Sequence, residues 1–186
     1  MNSKSKSLKC EYCKSNPCKC ATDRDITLIH PLPNSILLSC STGNGLSIFP
    51  NTSTPITITS ITIDTTCLRK PAIKIDFNST INYQALISGG TAITPFTLIF
   101  ELSKFCNDGT KVALGSWTYS IGFLSAATNI TNSFNFTYCE CSTCSACFIY
   151  TVDIVKFNNS ILSGEGSITE KISIITSNLS ALATSS

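Results

Sequence analysis

The sequence predicts an all-β protein: an eight-stranded antiparallel jelly-roll-like sandwich with an extended N-terminal arm. Apolar and polar side chains alternate with a period of two over most of the chain, as in Ile73, Ile75 and Phe77 with Lys74, Asp76 and Asn78 between them. That is the pattern of a strand buried on one face and wet on the other. The composition points the same way, because about a quarter of the 186 residues are Ser or Thr and only 13% are charged, about half the share usual in soluble domains. β-branched and uncharged polar side chains suit a pleated surface. No window carries the 3.6-residue period of an amphipathic helix.

The elements follow in order. Residues 1–33 read as a cysteine-rich connector arm, Lys- and Ser-rich at first, then carrying Cys10, Cys13, Cys18 and Cys20, and closing on Ile26-Thr27-Leu28-Ile29 with Pro31 and Pro33. Two prolines so placed discourage helix and central strand alike and mark a linker. Residues 34–186 read as the β-sandwich domain. Its expected strands are Ile36–Cys40, Pro55–Asp64, Ala72–Tyr83, Pro95–Lys104, Ser116–Phe123, Thr131–Cys139, Cys147–Phe157 and Ile168–Ala181. Turn-forming clusters separate them, among them Ser88-Gly89-Gly90, Asn107-Asp108-Gly109 and Asn158-Asn159. Gly43-Asn44-Gly45 and Gly164-Glu165-Gly166 lack a strand–helix context for phosphate and also read as turns. Ile56 and Ile58 are out of phase with Ile61 and Ile63 across Ser60, which predicts a β-bulge or a strand whose two halves face different sheets. Eight antiparallel strands around one core make a jelly roll or a related sandwich, with a barrel as the alternative that the alternation does not separate from it.

Charge and hydropathy exclude several classes of partner. The formal net charge is +2, with Lys4, Lys6, Lys9, Lys14 and Lys19 gathered in the arm. Aromatic residues for stacking are nearly absent around these lysines apart from Tyr12, and the rest of the chain is then close to neutral, so no nucleic-acid partner is expected. No stretch reaches the roughly 20 apolar residues of a membrane span, so no membrane partner is expected either. Residues 1–20 have no apolar core of a secretory signal. The chain nevertheless carries 11 cysteines, so either a metal holds them or they oxidise outside the compartment of synthesis.

Two cysteine clusters stand out, Cys10-x2-Cys13-x4-Cys18-x-Cys20 and Cys139-x-Cys141-x2-Cys144-x2-Cys147. Four thiolates this close can hold zinc, and a zinc-binding or redox module using the arm is one reading. The four-residue gap and the CxC pair depart from the usual pair of CxxC knuckles a dozen or more residues apart, so disulfides explain the arm better and no metal or other cofactor is expected. Cys139 and Cys141 lie two apart on a strand end, on one face, in a geometry poorly suited to bonding each other. An odd total cannot pair entirely within one copy. Cys40, Cys67 and Cys106, at strand ends or turns, are candidates for small buried hydrophobes.

Catalysis finds little support, and the chain is expected not to be an enzyme. The sole histidine, His30, precedes Pro31 in the linker. It is the one possible base for a Cys–His dyad and lies outside the expected core. Asp64, Asp76, Glu101, Asp153 and Glu170 show no pairing pattern in the sequence. A surface-displayed carbohydrate-binding jelly roll is a further reading, although few aromatic residues are left over once the alternating core positions are removed.

The strand Pro55-Ile56-Thr57-Ile58 followed by Asp64-Thr65-Thr66-Cys67, the Cys139–Cys147 cluster and the terminal Ser177-Asn178-Leu179-Ser180-Ala181-Leu182-Ala183 are the features that carry a family likeness. In them the chain resembles the cysteine-rich β-proteins of spore-forming clostridia and is similar to the fibre subunits of bacterial endospore appendages. The resemblance implies a jelly-roll subunit that polymerises with itself by edge-to-edge β-contacts, with other spore-surface proteins as further partners. It implies an extracellular place on the spore surface, after synthesis in the cytoplasm without a signal peptide. It also implies that Cys10 and Cys13, with Cys18 and Cys20, are connector thiols bonding to another subunit. Cys139, Cys141, Cys144 and Cys147 are the expected acceptors, grouped at one end of the sandwich.

Overall fold

The computed structural model describes residues 36–48, 54–66, 68–105, 109–122, 126–141 and 146–185. Eleven strands cover them: β1 (Ile36–Gly43), β2 (Leu46–Ile48), β3 (Ile56–Asp64), β4 (Pro71–Ser88), β5 (Thr91–Thr94) and β6 (Phe96–Phe105) come first. β7 (Lys111–Ile121), β8 (Ala127–Cys141), β9 (Cys147–Asn158), β10 (Ile161–Ser163) and β11 (Ser167–Ser185) follow. There is no helix among the described residues, and so none long and apolar enough to cross a membrane.

Two sheets face each other. One runs β1-β11-β4-β8, with β2 also paired to β11, and the other runs β3-β9-β6-β7, while β5 and β10 form a small ribbon. Set the three short strands aside and the eight long ones pair first with eighth, second with seventh, third with sixth and fourth with fifth, all antiparallel. That nesting is a long hairpin rolled up on itself, the two-Greek-key jelly roll. The fold is therefore all-β and jelly-roll-like, as expected.

The core lies where the alternation places it. β4 buries Ile73, Ile75, Phe77 and Ile81, and β6 buries Phe96, Leu98, Phe100 and Leu102 from the opposing sheet. Aromatic rings join the layers. Phe77 of β4 sits 5.9 Å from Phe100 of β6, and Trp117 of β7 stacks on Phe136 of β8 at 3.9 Å with 4° between planes. Each such pair adds about 0.5–1.5 kcal/mol beyond the burial of its area.

The strand count is corrected from eight to eleven. All eight expected strands are present, and β2, β5 and β10 are additions of three or four residues, too short for a period of two to register. Several ends also lie further out: β4 reaches Ser88 and β8 begins at Ala127. The expected bulge in β3 is present, but the register shift falls between Thr57 and Thr59 and not at Ser60, so Ile58 and Thr59 are both buried. Gly89 and Gly90 turn the chain between β4 and β5 at φ 72° and 71°, a conformation that glycine adopts without strain. A Cβ on Gly90 would lie 2.7 Å from the Ser163 carbonyl oxygen.

Candidate assembly surface

The outer face of the β1-β11-β4-β8 sheet collects the described cysteines. Cross-strand registers place Ile36, Thr184, Ala72 and Cys141 in one row, Leu38, Leu182, Lys74 and Cys139 in the next, and Cys40, Ser180, Asp76 and Thr137 in a third. Cys40, Cys139 and Cys141 are all exposed, outside any disulfide and on this face. Ile36 and Leu38 beside them are 64% and 68% exposed, and Leu182 adds to the patch.

Alternation alone sets the direction of these thiols on β8. Phe136 is buried against the other sheet, and Glu140 points the same way, where the Lys104 ammonium donates to its two oxygens at 2.8 and 2.9 Å and the Tyr150 hydroxyl donates at 2.6 Å. With the even positions held inward, Cys139 and Cys141 project outward. On the outer face Lys74 is bound to Asp76 at 2.8 Å, and the Thr137 hydroxyl donates to Asp76 at 2.6 Å. The hydrogen bond to Asp76, with the carboxylate's charge, holds the Lys74 ammonium above the usual lysine range.

Cys147 opens β9 opposite Asp64 of β3 and is half-buried. It shares its alternation with the exposed Ile149, on the far side of the sandwich from Cys141. Burial pushes its thiol up, and the Asp64 carboxylate adds to the effect. The structure thus brings Cys139 and Cys141 together and places Cys147 on the other sheet across the connection 142–145. Cys10, Cys13, Cys18, Cys20, Cys144, Cys67 and Cys106, with His30, lie outside the described residues. Cys40, one of the candidates for a small buried hydrophobe, is exposed, because the odd-numbered neighbours Leu37 and Ser39 take the inward positions of β1.

β1 and β8 are the outermost long strands of this sheet, with the short β2 continuing the β1 edge along β11. β1 contains no charged residue, and β8 contains only Glu140, already engaged inside; neither has a proline or a lysine. Edge strands in monomeric proteins are normally guarded by such residues. The face also carries an asparagine row, with Asn178, Asn78 and Asn135 in register on β11, β4 and β8.

Sequence reasoning missed three acidic centres. Besides Glu140, Asp153 is 1% exposed and accepts from Lys111 at 2.6 Å and from the Thr57 hydroxyl at 2.5 Å. Glu170 is buried and accepts from the Tyr83 hydroxyl at 2.5 Å, the Ser160 hydroxyl at 2.7 Å and the Ser160 amide at 3.1 Å. Each ties strands distant in sequence, so no local spacing announces it. No group of three His, Cys, Asp or Glu side chains among the described residues is placed to hold a metal ion. A shallow depression lined by Gln84, Leu86, Asn129 and Lys171 at the other end of the same sheet has no aromatic lining.

Solved structures similar to the chain include one of infectious bursal disease virus, Gx strain, 15% identical over 81% of this chain and 37% of that one, with a TM-score of 0.40. A crystal structure of the VP2 subviral particle of the same virus is 14% identical over 81% and 37% of the two chains, with a TM-score of 0.38. The chain thus spans little more than a third of the length of these viral chains. No curated protein matches it. The sequence model of the family described as a domain of unknown function, DUF4489, matches residues 34–184, and the chain belongs to that family.

Proposed function

We propose that the protein is a non-enzymatic structural subunit that assembles with itself into a disulfide-cross-linked extracellular fibre, on the surface of a bacterial spore. The single observation that carries this reading is the shared location of exposed thiols and unguarded edges. Three free, exposed cysteines lie on the outer face of one sheet whose outermost strands lack lysine and proline. An edge of this kind is a template for another strand of the same chain. Heterologous contacts of that sort, repeated without closure, give filaments.

The arm supplies the second link. β1 begins at Ile36, in the same cross-strand row as Cys141, so the arm leaves the domain at the thiol-bearing end. From Cys10 to Ile36 the chain can extend to about 85 Å at roughly 3.3 Å per residue, against a domain roughly 40 Å across. Cys10, Cys13, Cys18 and Cys20 then reach a neighbouring copy, with Cys139, Cys141, Cys144 and Cys147 as acceptors. Other spore-surface proteins are the further partners of this reading.

The test is assembly of the purified full-length chain under mild oxidation, followed by electron microscopy and electrophoresis with and without reductant. Filaments with a covalent ladder that reductant collapses are expected, and Cys10 and Cys13 replaced together by Ser should shorten the ladder. Monomeric protein at every concentration under oxidising conditions would overturn the reading.

A further inference from the structure

We propose that Cys40 of one copy forms a disulfide with Cys139 of the next, across an antiparallel joint between the β1 edge of one and the β8 edge of the other. This rests on the assembly reading, gives it a specific joint, and leaves Cys141, Cys144 and Cys147 as the acceptors for the arm. Strand polarity comes first. β1 and β4 both run antiparallel to β11, and β8 runs antiparallel to β4. A second copy set alongside in the same orientation therefore presents its β1 antiparallel to the first copy's β8, and one sheet continues through both.

Side-chain parity comes next. On β8 Phe136 and Glu140 face the opposing sheet while Cys139 and Cys141 face out, and on β1 Leu37 and Ser39 are half-buried while Cys40 faces out. A register that keeps inner faces inner can change only in steps of two residues, and each such register leaves all three thiols on one side. With the rows continued straight across, Cys40 would lie beside Thr137 of the neighbour. One two-residue step, about 7 Å along the strand, puts it opposite Cys139. Directly opposed residues in an antiparallel pair lie about 4.5–5.5 Å apart at Cα, within the roughly 4.4–6.8 Å that a disulfide accepts.

The same geometry excludes the bond within one copy. Cys40 and Cys139 are separated by β11 and β4, three strand spacings or about 14 Å, beyond the reach of a disulfide. Charge does not oppose the joint, because β1 has none and Glu140 is neutralised by Lys104 on the inner face. Lys74, the cross-strand neighbour of Cys139, is held by Asp76.

Closing the bond removes two electrons and two protons from the pair of thiols, and a small-molecule disulfide of the glutathione type accepts them. The Cys139 thiolate attacks one sulfur of that disulfide and releases one small thiolate. The Cys40 thiolate of the neighbouring copy then attacks the resulting mixed disulfide at the Cys139 sulfur and releases the second. Both small thiolates end as thiols, so one small disulfide is consumed for each joint.

The experiment uses the full-length chain, assembled with oxidised glutathione. Filaments are collected, digested without reduction and searched for the cross-linked peptide by mass spectrometry, in the wild type and in C40S, C139S and C141S. The expected result is a Cys40–Cys139 peptide in wild type and C141S, its loss in C40S and C139S together with part of the covalent ladder, and filaments still visible in all four. Filaments in which Cys40 is free, or bonded to an arm cysteine or to Cys141, overturn the joint and leave the assembly reading standing. Absence of filaments from the wild type overturns both. Far-UV circular dichroism of each variant confirms that an exposed Cys→Ser change has left the fold intact.

Discussion

Lys104 of β6 and Glu140 of β8 face each other across the sandwich, the ammonium nitrogen 2.8 Å from one carboxylate oxygen and 2.9 Å from the other. Both side chains are mostly shielded, at 16% and 12% exposure, and Lys104 also lies 4.9 Å from the Phe148 ring centre. The pair joins the two sheets near the connection between β8 and β9. Removing one partner leaves the other charged and poorly solvated. Glu140→Ala is therefore expected to destabilise the domain by about 2–3 kcal/mol in urea denaturation. The double change Lys104→Met with Glu140→Leu should cost less than Glu140→Ala alone. A loss under about 0.5 kcal/mol for Glu140→Ala, the size of an ordinary surface change, would contradict the role given to the pair.

Thiol reactivity should divide along the faces. Alkylation acts on the thiolate, so exposed Cys40, Cys139 and Cys141 should be modified before Cys147, whose thiol is raised by burial and by Asp64. Asp64→Asn removes one of the two causes and should speed modification of Cys147 at neutral pH. Peptide mass spectrometry after timed quenching measures each site separately, and equal rates at Cys147 and Cys139 would refute the ordering.

Alkaline stability should depend on Tyr83. Burial, together with its hydrogen bond to Glu170, raises the Tyr83 phenol above its ordinary value, and burial raises Tyr119 as well. The folded state therefore holds these protons more tightly than the unfolded state. Their contribution is complete below the unfolded phenol value of about 10 and is lost as pH rises above it. Thermal melts from pH 8 to 11 should show Tm falling at the alkaline end, less steeply in Tyr83→Phe. That variant should also cost about 1–2 kcal/mol at neutral pH, since Glu170 loses one of its buried donors. Parallel Tm curves for the two proteins would show that Tyr83 does not carry the dependence.

The core prediction is simpler. Phe77 is 1% exposed and lies within ring contact of Phe100, Phe134 and Phe136, so Phe77→Ala should cost about 3–5 kcal/mol. Residues 34–186 alone should retain β-type circular dichroism and a cooperative melt, because the two sheets bury their apolar faces against each other. An unfolded 34–186 fragment would show that the arm is part of the core.

Where the chain repeats its period over eight or more residues, as from Phe96 to Phe105, the strand was legible from sequence. Side-chain direction followed too: Cys139 and Cys141 share a face because they are two apart, and the structure places them so. Whether Cys40 is buried or exposed is not legible, because its strand, Ile36-Leu37-Leu38-Ser39-Cys40, offers apolar residues to both faces and alternation then gives no direction. The acidic centres were illegible for a different reason. Lys104 and Glu140 are 36 residues apart, and Tyr83 and Glu170 are 87 apart, so only the paired sheets bring them together. The unguarded edges could be read once the strand order was known, since an edge is a property of topology and not of any one segment.

The nested pairing of the strands also orders events in time. β11 lies between β1 and β4, with Leu38 opposite Leu182 and Lys74 opposite the same Leu182. Until β11 is made, β1 has no neighbour on that sheet and one side of β4 stands open. Contacts this distant in sequence close slowly and leave strand edges exposed meanwhile. Without β11 the open side of β4 is a run of unpaired backbone from Pro71 to Ser88, longer than β1 or β8 presents at a finished edge, and so a better receptor for a stray strand. A polysome crowded with half-made copies is therefore where this chain is most exposed to mispairing.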